Sequence, residues 1–199
     1  MHQFPKDIGW IEVICGSMFS GKTEELIRRI KRAVYGKQKV QVFKPRIDKR
    51  YDDEAVVSHS QLKLVGVPID RPEEILQQLK PDTEVVGIDE VQFLGPEVVT
   101  VAEELARRGV RVICAGLDQD YQGKPFEPMP QLLAVSEYIT KELAICVVCG
   151  NPANRTQRLI ANEERVLVGA HDSYEARCRK CHSPSPAEAT PPQNLDLFR

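Results

Sequence analysis

The stretch Gly16-Ser-Met-Phe-Ser-Gly21-Lys22-Thr23 lies between an apolar segment, residues 10–15, and a segment of helical periodicity, residues 23–35. It satisfies the pattern Gly-x-x-x-x-Gly-Lys-Ser/Thr in the strand-to-helix context of a phosphate-binding loop. The glycines let successive backbone N–H groups point at phosphate oxygens, and the helix N-terminus adds partial positive charge. The stretch predicts a nucleoside triphosphate site formed by Gly16, Ser17, Met18, Phe19, Ser20, Gly21, Lys22 and Thr23.

An acidic pair supplies the second half of such a site. Residues 85–88 form another apolar strand, which runs into Asp89-Glu90. Asp89 can hold Mg²⁺, as can the Thr23 hydroxyl, while Lys22 bridges the β- and γ-phosphates. Glu90 can act as a base or position a nucleophile. We therefore predict an enzyme that uses a triphosphate and Mg²⁺, with Asp89, Glu90, Val91 and Gln92 completing the cofactor site.

The order of elements predicts the fold class. Apolar strands alternate with helical segments, which favours an α/β domain whose mainly parallel sheet is covered by helices. The predicted strands are residues 10–15, 40–43, 85–88 and 110–115, the predicted helices are residues 23–35, 73–79 and 96–108, and residues 45–59 are predicted as a long polar loop.

Composition narrows the function further. The 199 residues carry a net charge of −2, which gives no bulk electrostatic reason to expect nucleic-acid binding. No apolar run approaches the roughly 18 residues of a membrane span, and the N-terminus lacks the pattern of a secretory signal. We expect a cytoplasmic protein that binds neither membranes nor nucleic acid.

The six cysteines are expected to stay reduced in that compartment. Cys146-x-x-Cys149 and Cys178-x-x-Cys181, 28 residues apart, predict a tetrahedral Zn²⁺ site in which each pair occupies one edge. Four thiolates leave no position for water, so the zinc would be structural. Two redox-active pairs are the alternative, and His182 is a candidate substitute ligand. Cys15 and Cys114 fall in apolar strands and are predicted core residues.

The change of pattern near residue 145 predicts the domain organisation. Residues 1–144 are expected to form the nucleotide-binding domain and residues 145–182 a small zinc-binding module. Residues 183–199 are rich in Ser and Pro and are predicted to be a mobile tail.

Two uses of the triphosphate compete at this stage. The phosphate loop with Asp89-Glu-Val-Gln92 also matches helicase-type ATPases, but those enzymes normally need two such lobes and a basic strand-binding track. The alternative is a kinase that moves the γ-phosphoryl group to a small acceptor. Further motifs favour the kinase.

These motifs resemble the thymidine kinase family of the cellular and bacterial type (type II). The resemblance spans residues 10–182. The matching motifs are Gly-Ser-Met-Phe-Ser-Gly-Lys-Thr-Glu-Glu-Leu-Ile-Arg-Arg (16–29), Lys44-Pro-Arg-Ile-Asp48-Lys-Arg50-Tyr51, Ser58-His59, Asp89-Glu90-Val-Gln92-Phe93, Gly116-Leu-Asp118-x-x-Tyr121-x-x-x-Pro-Phe126 and the two cysteine pairs.

The resemblance implies a RecA-like phosphate-loop domain and a zinc-held lasso that closes over the nucleoside. On this basis we expect the small module to act on the acceptor more than on the triphosphate. It implies transfer of the ATP γ-phosphoryl group to the 5′-hydroxyl of thymidine, with deoxyuridine as an alternative acceptor. The product would be thymidine monophosphate, for nucleotide salvage and DNA precursor synthesis. It also implies a homotetramer and end-product inhibition by thymidine triphosphate.

Residue roles follow by the same resemblance. Glu90 would be the catalytic base and Arg50 would lie near the phosphoryl group, where a cation offsets developing charge, alongside Lys22. Tyr121 stands where the family usually has Phe and would pack against the thymine ring. The other residues that the resemblance assigns to the nucleoside are Asp48, Arg165, Val166, Leu167, Val168, Gly169 and Tyr174.

Overall fold

The computed structural model describes residues 8–47, 55–57, 63–160 and 173–184. Strands and helices alternate through its first two thirds, and short strands follow. The strands are β1 (Trp10–Gly16), β2 (Val40–Pro45), β3 (Ala55–Val57), β4 (Lys63–Val65), β5 (Val67–Ile69), β6 (Val85–Ile88), β7 (Arg111–Gly116), β8 (Tyr138–Glu142), β9 (Ala144–Ile145), β10 (Pro152–Ala153), β11 (Arg155–Arg158) and β12 (Tyr174–Arg177), and the helices are α1 (Lys22–Tyr35), α2 (Glu73–Gln78), α3 (Glu97–Arg107) and α4 (Met129–Val135).

Among the described residues, six strands form one sheet in the order β5-β2-β6-β7-β1-β8, and every neighbouring pair is parallel. Apolar side chains of α1 pack on one face of the sheet, while α2, α3 and α4 pack on the other. The central strands are therefore buried on both sides, as their continuous apolar sequences indicate. The predicted α/β class with a mainly parallel sheet is confirmed.

Some elements differ from the sequence prediction. The loop predicted for residues 45–59 is wrong at Ala55–Val57, because β3 pairs with β4 there as a short antiparallel hairpin. Three-residue strands give too little periodicity to be recognised. Helix α4 and strand β8 were also not predicted. Strand β8 lies at the sheet edge and contains Lys141 and Glu142. These charged residues make its sequence resemble that of a surface loop.

The cysteine module has a separate small core. Two antiparallel pairs, β9 with β10 and β11 with β12, bring its segments together. Its buried residues are Ala144, Cys146, Val148, Ala153, Ala176 and Cys178. Within the described ranges, none of the helices has the length and apolarity needed to cross a membrane.

A buried carboxylate in β1 connects strands β1 and β7 with helix α1, at a distance from the phosphate loop. Glu12, 3% exposed, accepts hydrogen bonds from Trp10 Nε1 at 2.7 Å, Arg29 Nη1 at 2.7 Å and Arg111 Nε at 2.6 Å. Burial alone would raise the pKa of Glu12, but Arg111, with Trp10 and Arg29, lowers it below its usual value. The buried carboxylate of Glu12 is therefore stabilised by three hydrogen-bond donors, two of which are positively charged.

We predict that Glu12→Gln destabilises the protein by about 3 kcal/mol at pH 7, because it leaves two arginines facing a neutral group. Since the folded-state pKa of Glu12 is lowered, its contribution is present above the ordinary value of 4.5 and is lost as the pH falls through the lowered value. Urea unfolding of both proteins at several pH values measures this.

The matched control is Glu104→Gln, which removes a surface carboxylate paired with Arg107 and Arg108. Its effect on the free energy of unfolding should be much smaller than that of Glu12→Gln, because solvent screens ion pairs at the surface. A Glu12 effect that stays constant as the pH falls would show that packing, not charge, explains the loss.

Candidate active site and metal centre

The phosphate loop begins at a glycine that has no room for a side chain. Gly16 has a φ of 147°, and a Cβ there would lie 2.3 Å from the carbonyl oxygen of Glu142 and 2.7 Å from Ser20 Oγ. The loop therefore turns away from β1 while touching the end of β8. Helix α1 starts after Gly21, so its first N–H groups face the loop interior.

The side chains of the loop are arranged for an anion. Lys22 is buried and its Nζ donates to the Ser17 carbonyl at 2.7 Å, which keeps the ammonium group against the loop. Ser20 Oγ is buried and has no hydrogen-bond partner among the described residues. A buried hydroxyl without a partner is costly unless a ligand supplies one. The loop therefore fits a triphosphate.

The acidic pair lies beside this loop. Thr23 Oγ1 is 3.5 Å from Asp89 Oδ1 and 3.4 Å from Asp89 Oδ2, although 66 positions separate the two residues. Parallel strands end at the same edge of a sheet, and this is why β1 and β6 bring these oxygens together. Hydroxyl and carboxylate oxygens are the ligands that Mg²⁺ prefers, so the residues present fit this ion.

Glu90 is held in a defined position next to Asp89. Its φ of 49° is in the left-handed region, which is unusual for a non-glycine residue and is concentrated at functional sites. Gln92 Nε2 donates to Glu90 Oε2 at 2.5 Å, and Gln92 Oε1 accepts from the Leu117 backbone N–H at 3.0 Å. A Cβ on Gly116 would lie 2.6 Å from Gln92 Oε1, so this glycine makes room for the amide.

An aromatic cluster lies next to the loop. Met18, Tyr121 and Tyr174 are buried together, with Phe19 and Leu117 packed against them. The two tyrosines come from the segment after β7 and from β12, so both modules contribute. The structure thus brings Tyr121 and Tyr174, both predicted nucleoside contacts, next to the triphosphate loop.

The cysteine module binds directly to the phosphate loop. The Met18 backbone N–H donates to Thr156 Oγ1 at 3.1 Å, and Ser17 Oγ donates to the Ala153 carbonyl at 3.4 Å. We expected this module to act mainly on the acceptor. These contacts show that it also supports the loop that faces the triphosphate.

The four predicted metal ligands form one cluster. The Sγ atoms of Cys146, Cys149, Cys178 and Cys181 all lie within 4.8 Å of one another. Cys149 Sγ is 3.6 Å from both Cys178 Sγ and Cys181 Sγ. Zn–S bonds of about 2.3 Å place tetrahedral sulfurs about 3.8 Å apart, so the cluster fits zinc. The structure therefore confirms that the four cysteines come together in a C-terminal module that could hold zinc.

Two of the four thiols differ in acidity. Hydrogen bonds from the backbone and side-chain nitrogens of Asn151 lower the pKa of Cys149 to about 6. Desolvation and hydrogen bonds with the sulfurs of Cys149 and Cys178 raise the pKa of Cys181. Four sulfurs this close cannot all be thiolates without a bound cation, because their charges repel.

His182 has a different partner from the one considered in the sequence. Its Nε2–H donates to the Tyr121 carbonyl at 2.8 Å, and burial lowers its pKa, which favours the neutral ring. It therefore connects the end of the cysteine module to the segment that carries Tyr121. Cys15 and Cys114 are buried in β1 and β7, and burial raises their thiol pKa values to about 11 and about 12. Both are core residues, as predicted.

Sequence reasoning missed Thr156, Arg158 and the pairing role of His182. Neither local spacing nor composition distinguishes these residues, because each of their partners is more than ten positions away along the chain. The predicted residues that lie outside the described part of the chain are Asp48, Arg50, His59, Arg165, Val166, Leu167, Val168 and Gly169.

We predict that Cys149→Ser lowers the zinc content from about one per chain toward zero, because three thiolates hold the ion much more weakly. Ser17 and Met18 contact this module, so the affinity for ATP should fall together with that for the acceptor. Elemental analysis and nucleotide titration measure the two effects. In the intact protein, zinc should also be lost as the pH falls, because protons compete for the sulfurs.

Cys114→Ala is the matched control, since Cys114 lies in the sheet core away from the cluster. It should keep its zinc. Equal zinc in Cys149→Ser and in the intact protein would refute the four-thiolate site.

Comparison with known proteins places this site in a family. A sequence model described as "Thymidine kinase" matches residues 9–182. A thymidine kinase of Bdellovibrio bacteriovorus is 60% identical over 176 residues, 88% of this chain and 86% of that protein. A thymidine kinase of a Rhodothermus species is 59% identical over 177 residues, 89% of this chain and 83% of that protein.

Among solved structures, the flagellar accessory protein FlaH from Methanocaldococcus jannaschii superposes with a TM-score of 0.49 at 12% identity, covering 74% of this chain and 76% of that one. This likeness is too low to add to the assignment. The extent of the family match and the identity to the two bacterial enzymes show that the chain belongs to the thymidine kinase family.

Proposed function

We propose that this chain transfers the γ-phosphoryl group of ATP to the 5′-hydroxyl of thymidine and produces thymidine monophosphate. Family membership supports the reaction and both substrates. The observation that carries the proposal is the convergence of Thr23, Asp89 and Glu90 at one edge of the sheet. This edge joins a phosphate loop to a candidate base.

The donor half of the site consists of the phosphate loop and Asp89. Backbone N–H groups of the loop and of the first turn of α1 would bind the phosphate oxygens. Lys22 would exchange its bond to the Ser17 carbonyl for a γ-phosphate oxygen and offset charge there during transfer. Thr23 and Asp89 would hold Mg²⁺, which when bound neutralises charge on the phosphates.

The acceptor half depends on Glu90. As a general base it would accept the proton of the thymidine 5′-hydroxyl while the oxygen attacks the γ-phosphorus, the bond from that phosphorus to the β,γ-bridging oxygen breaks and ADP leaves. The Glu90 carboxylate is held by the hydrogen bond from Gln92, on a backbone in the left-handed region. Because the base is already oriented, less conformational entropy would be lost when it meets the hydroxyl of the bound acceptor.

The nucleoside site would lie against the aromatic cluster. Tyr121 offers the aromatic surface that a flat base requires, and Tyr174 closes the site from the cysteine module. By family resemblance, Asp48 and the backbone of residues 165–169 would bind the nucleoside, and Arg50 would lie at the phosphoryl group. The zinc would be structural and would hold the lasso segment by its ends.

Further family properties complete the proposal. We propose residues 1–144 as the nucleotide-binding domain, residues 145–182 as the zinc-binding lasso and residues 183–199 as a tail. We also propose a cytoplasmic homotetramer with feedback inhibition by thymidine triphosphate and with deoxyuridine as a second acceptor.

The test is an assay of γ-phosphoryl transfer from ATP to a panel of nucleosides by the purified protein. Thymidine should be phosphorylated at the 5′ position, with deoxyuridine as the next acceptor. Hydrolysis of ATP stimulated by DNA, without nucleoside phosphorylation, would refute the proposal and favour the helicase-type alternative.

We predict that Glu90→Gln lowers kcat by roughly 10²- to 10⁴-fold, the usual range for loss of a general base. The amide keeps the size of the side chain and can still contact Gln92. Binding of ATP, measured by titration, should therefore stay within about twofold of the unsubstituted protein. Turnover close to that of the unsubstituted enzyme would remove Glu90 from the mechanism.

We predict that Lys22→Ala lowers kcat by at least roughly 10²-fold, because transfer loses the cation nearest to the γ-phosphoryl group. Single-turnover kinetics at saturating ATP separates this effect from weaker binding. Lys141→Ala is a control, because it removes a lysine that pairs with Asp118 at 2.5 Å outside the phosphate loop. An equal loss of kcat in both variants would argue against a specific role of Lys22.

A further inference from the structure

A buried arginine stands between the two tyrosines of the aromatic cluster. Arg158, at the end of β11, is 0% exposed. Its guanidinium carbon lies 3.7 Å from the ring centroid of Tyr121 and 5.4 Å from that of Tyr174. Its Nη2 donates to the Tyr174 hydroxyl at 2.8 Å. One cationic side chain therefore contacts both rings.

These contacts constrain the tyrosines in different ways. The guanidinium carbon lies over the Tyr121 ring at 3.7 Å from its centroid, so one face of the ring is covered and its rotation is hindered. The Tyr174 ring is held through its hydroxyl, and the pairing of β11 with β12 places Arg158 directly opposite Tyr174. The guanidinium thus constrains the orientation of the Tyr121 ring and the position of the Tyr174 hydroxyl.

The tyrosines belong to different parts of the fold. Tyr121 follows β7 of the main sheet, whereas Tyr174 begins β12 of the cysteine module. Their separation therefore depends on how the two modules meet. Arg158 bridges them at this point, and His182 connects the same two parts through the Tyr121 carbonyl. Burial of a charged group costs free energy, and an apolar side chain would fill the same space without that cost. The arginine at this position therefore indicates a specific role for its contacts with the two rings.

We propose that Arg158 is a positioning residue of the nucleoside site: it fixes the orientation in which the rings of Tyr121 and Tyr174 line that site. The inference rests on the proposed function, because the aromatic cluster is assigned to the nucleoside there. It assigns no contact between Arg158 and the reacting atoms. Its loss should therefore weaken nucleoside binding while the donor half of the site keeps its geometry.

The experiment compares Arg158→Met and Arg158→Lys with the unsubstituted protein in the thymidine assay. Arg158→Met should raise the KM for thymidine about tenfold or more, while the KM for ATP changes less than about threefold. Arg158→Lys keeps the charge but lacks the planar group that stacks and donates in two directions, so it should restore little of the loss.

Tyr174→Phe deletes only the hydroxyl that accepts from Arg158 and leaves the ring, so this variant is expected to fold even if Arg158→Met does not. It should raise the KM for thymidine about threefold. Combined with Arg158→Met, it should add nothing, because the contact is already lost. Independent, multiplying effects of the two substitutions would contradict the proposal.

Arg111→Met is the matched control. Arg111 also lies over an aromatic ring, with its guanidinium carbon 5.6 Å from the centroid of Trp10, and it is paired with Glu12 at the opposite end of the sheet. It should lower the melting temperature without changing the KM for thymidine. A similar rise of that KM in Arg111→Met and Arg158→Met would show a general loss of stability and overturn the inference.

The remaining outcomes are separable. If the unsubstituted protein phosphorylates thymidine but Arg158→Met, Arg158→Lys and Tyr174→Phe all keep its KM, the inference is wrong and the proposed function stands. If the unsubstituted protein phosphorylates no nucleoside, the proposed function is wrong and the inference fails with it.

Discussion

The parallel alignment of β1, β6 and β7 is the constraint on which the site depends. Because all three strands run in the same direction, their carboxyl ends meet at one edge of the sheet. The phosphate loop follows β1, the Asp89-Glu90 pair follows β6, and the segment with Tyr121 follows β7. A reversed strand would move its functional group to the far edge of the sheet.

The cysteine module gains importance from where it is attached. It contacts Ser17 and Met18 of the phosphate loop, the Tyr121 backbone through His182, and the Tyr121 ring through Arg158. A zinc ion bound by the four cysteines would therefore support the phosphate loop and the segment with Tyr121 at the same time. The two parts have separate hydrophobic cores but share one site.

The sequence predicted those features that depend on residues close together along the chain. The phosphate loop, the strand that ends in Asp89 and the two cysteine pairs are contiguous motifs, and the apolar strands and amphipathic helices gave the α/β class. Edge strand β8 and hairpin strand β3 escaped because one is polar and the other short. The contacts of Thr156 and Arg158 could not be predicted, since the Met18–Thr156 bond joins residues 138 positions apart. Such contacts depend on how the modules pack, which periodicity does not report.

The hydrogen bonds from Ser17 and Met18 to residues 153–156 have a consequence for the order of assembly. The phosphate loop leaves the ribosome well before the cysteine module, because partners of its backbone and side chains are made more than 130 residues later. Strand β8, whose Glu142 carbonyl touches Gly16, is also late. Contacts this distant in sequence form slowly, because a long loop must close before they are gained. The nascent chain thus carries the phosphate loop without these partners until the segment at residues 153–156 has been synthesised.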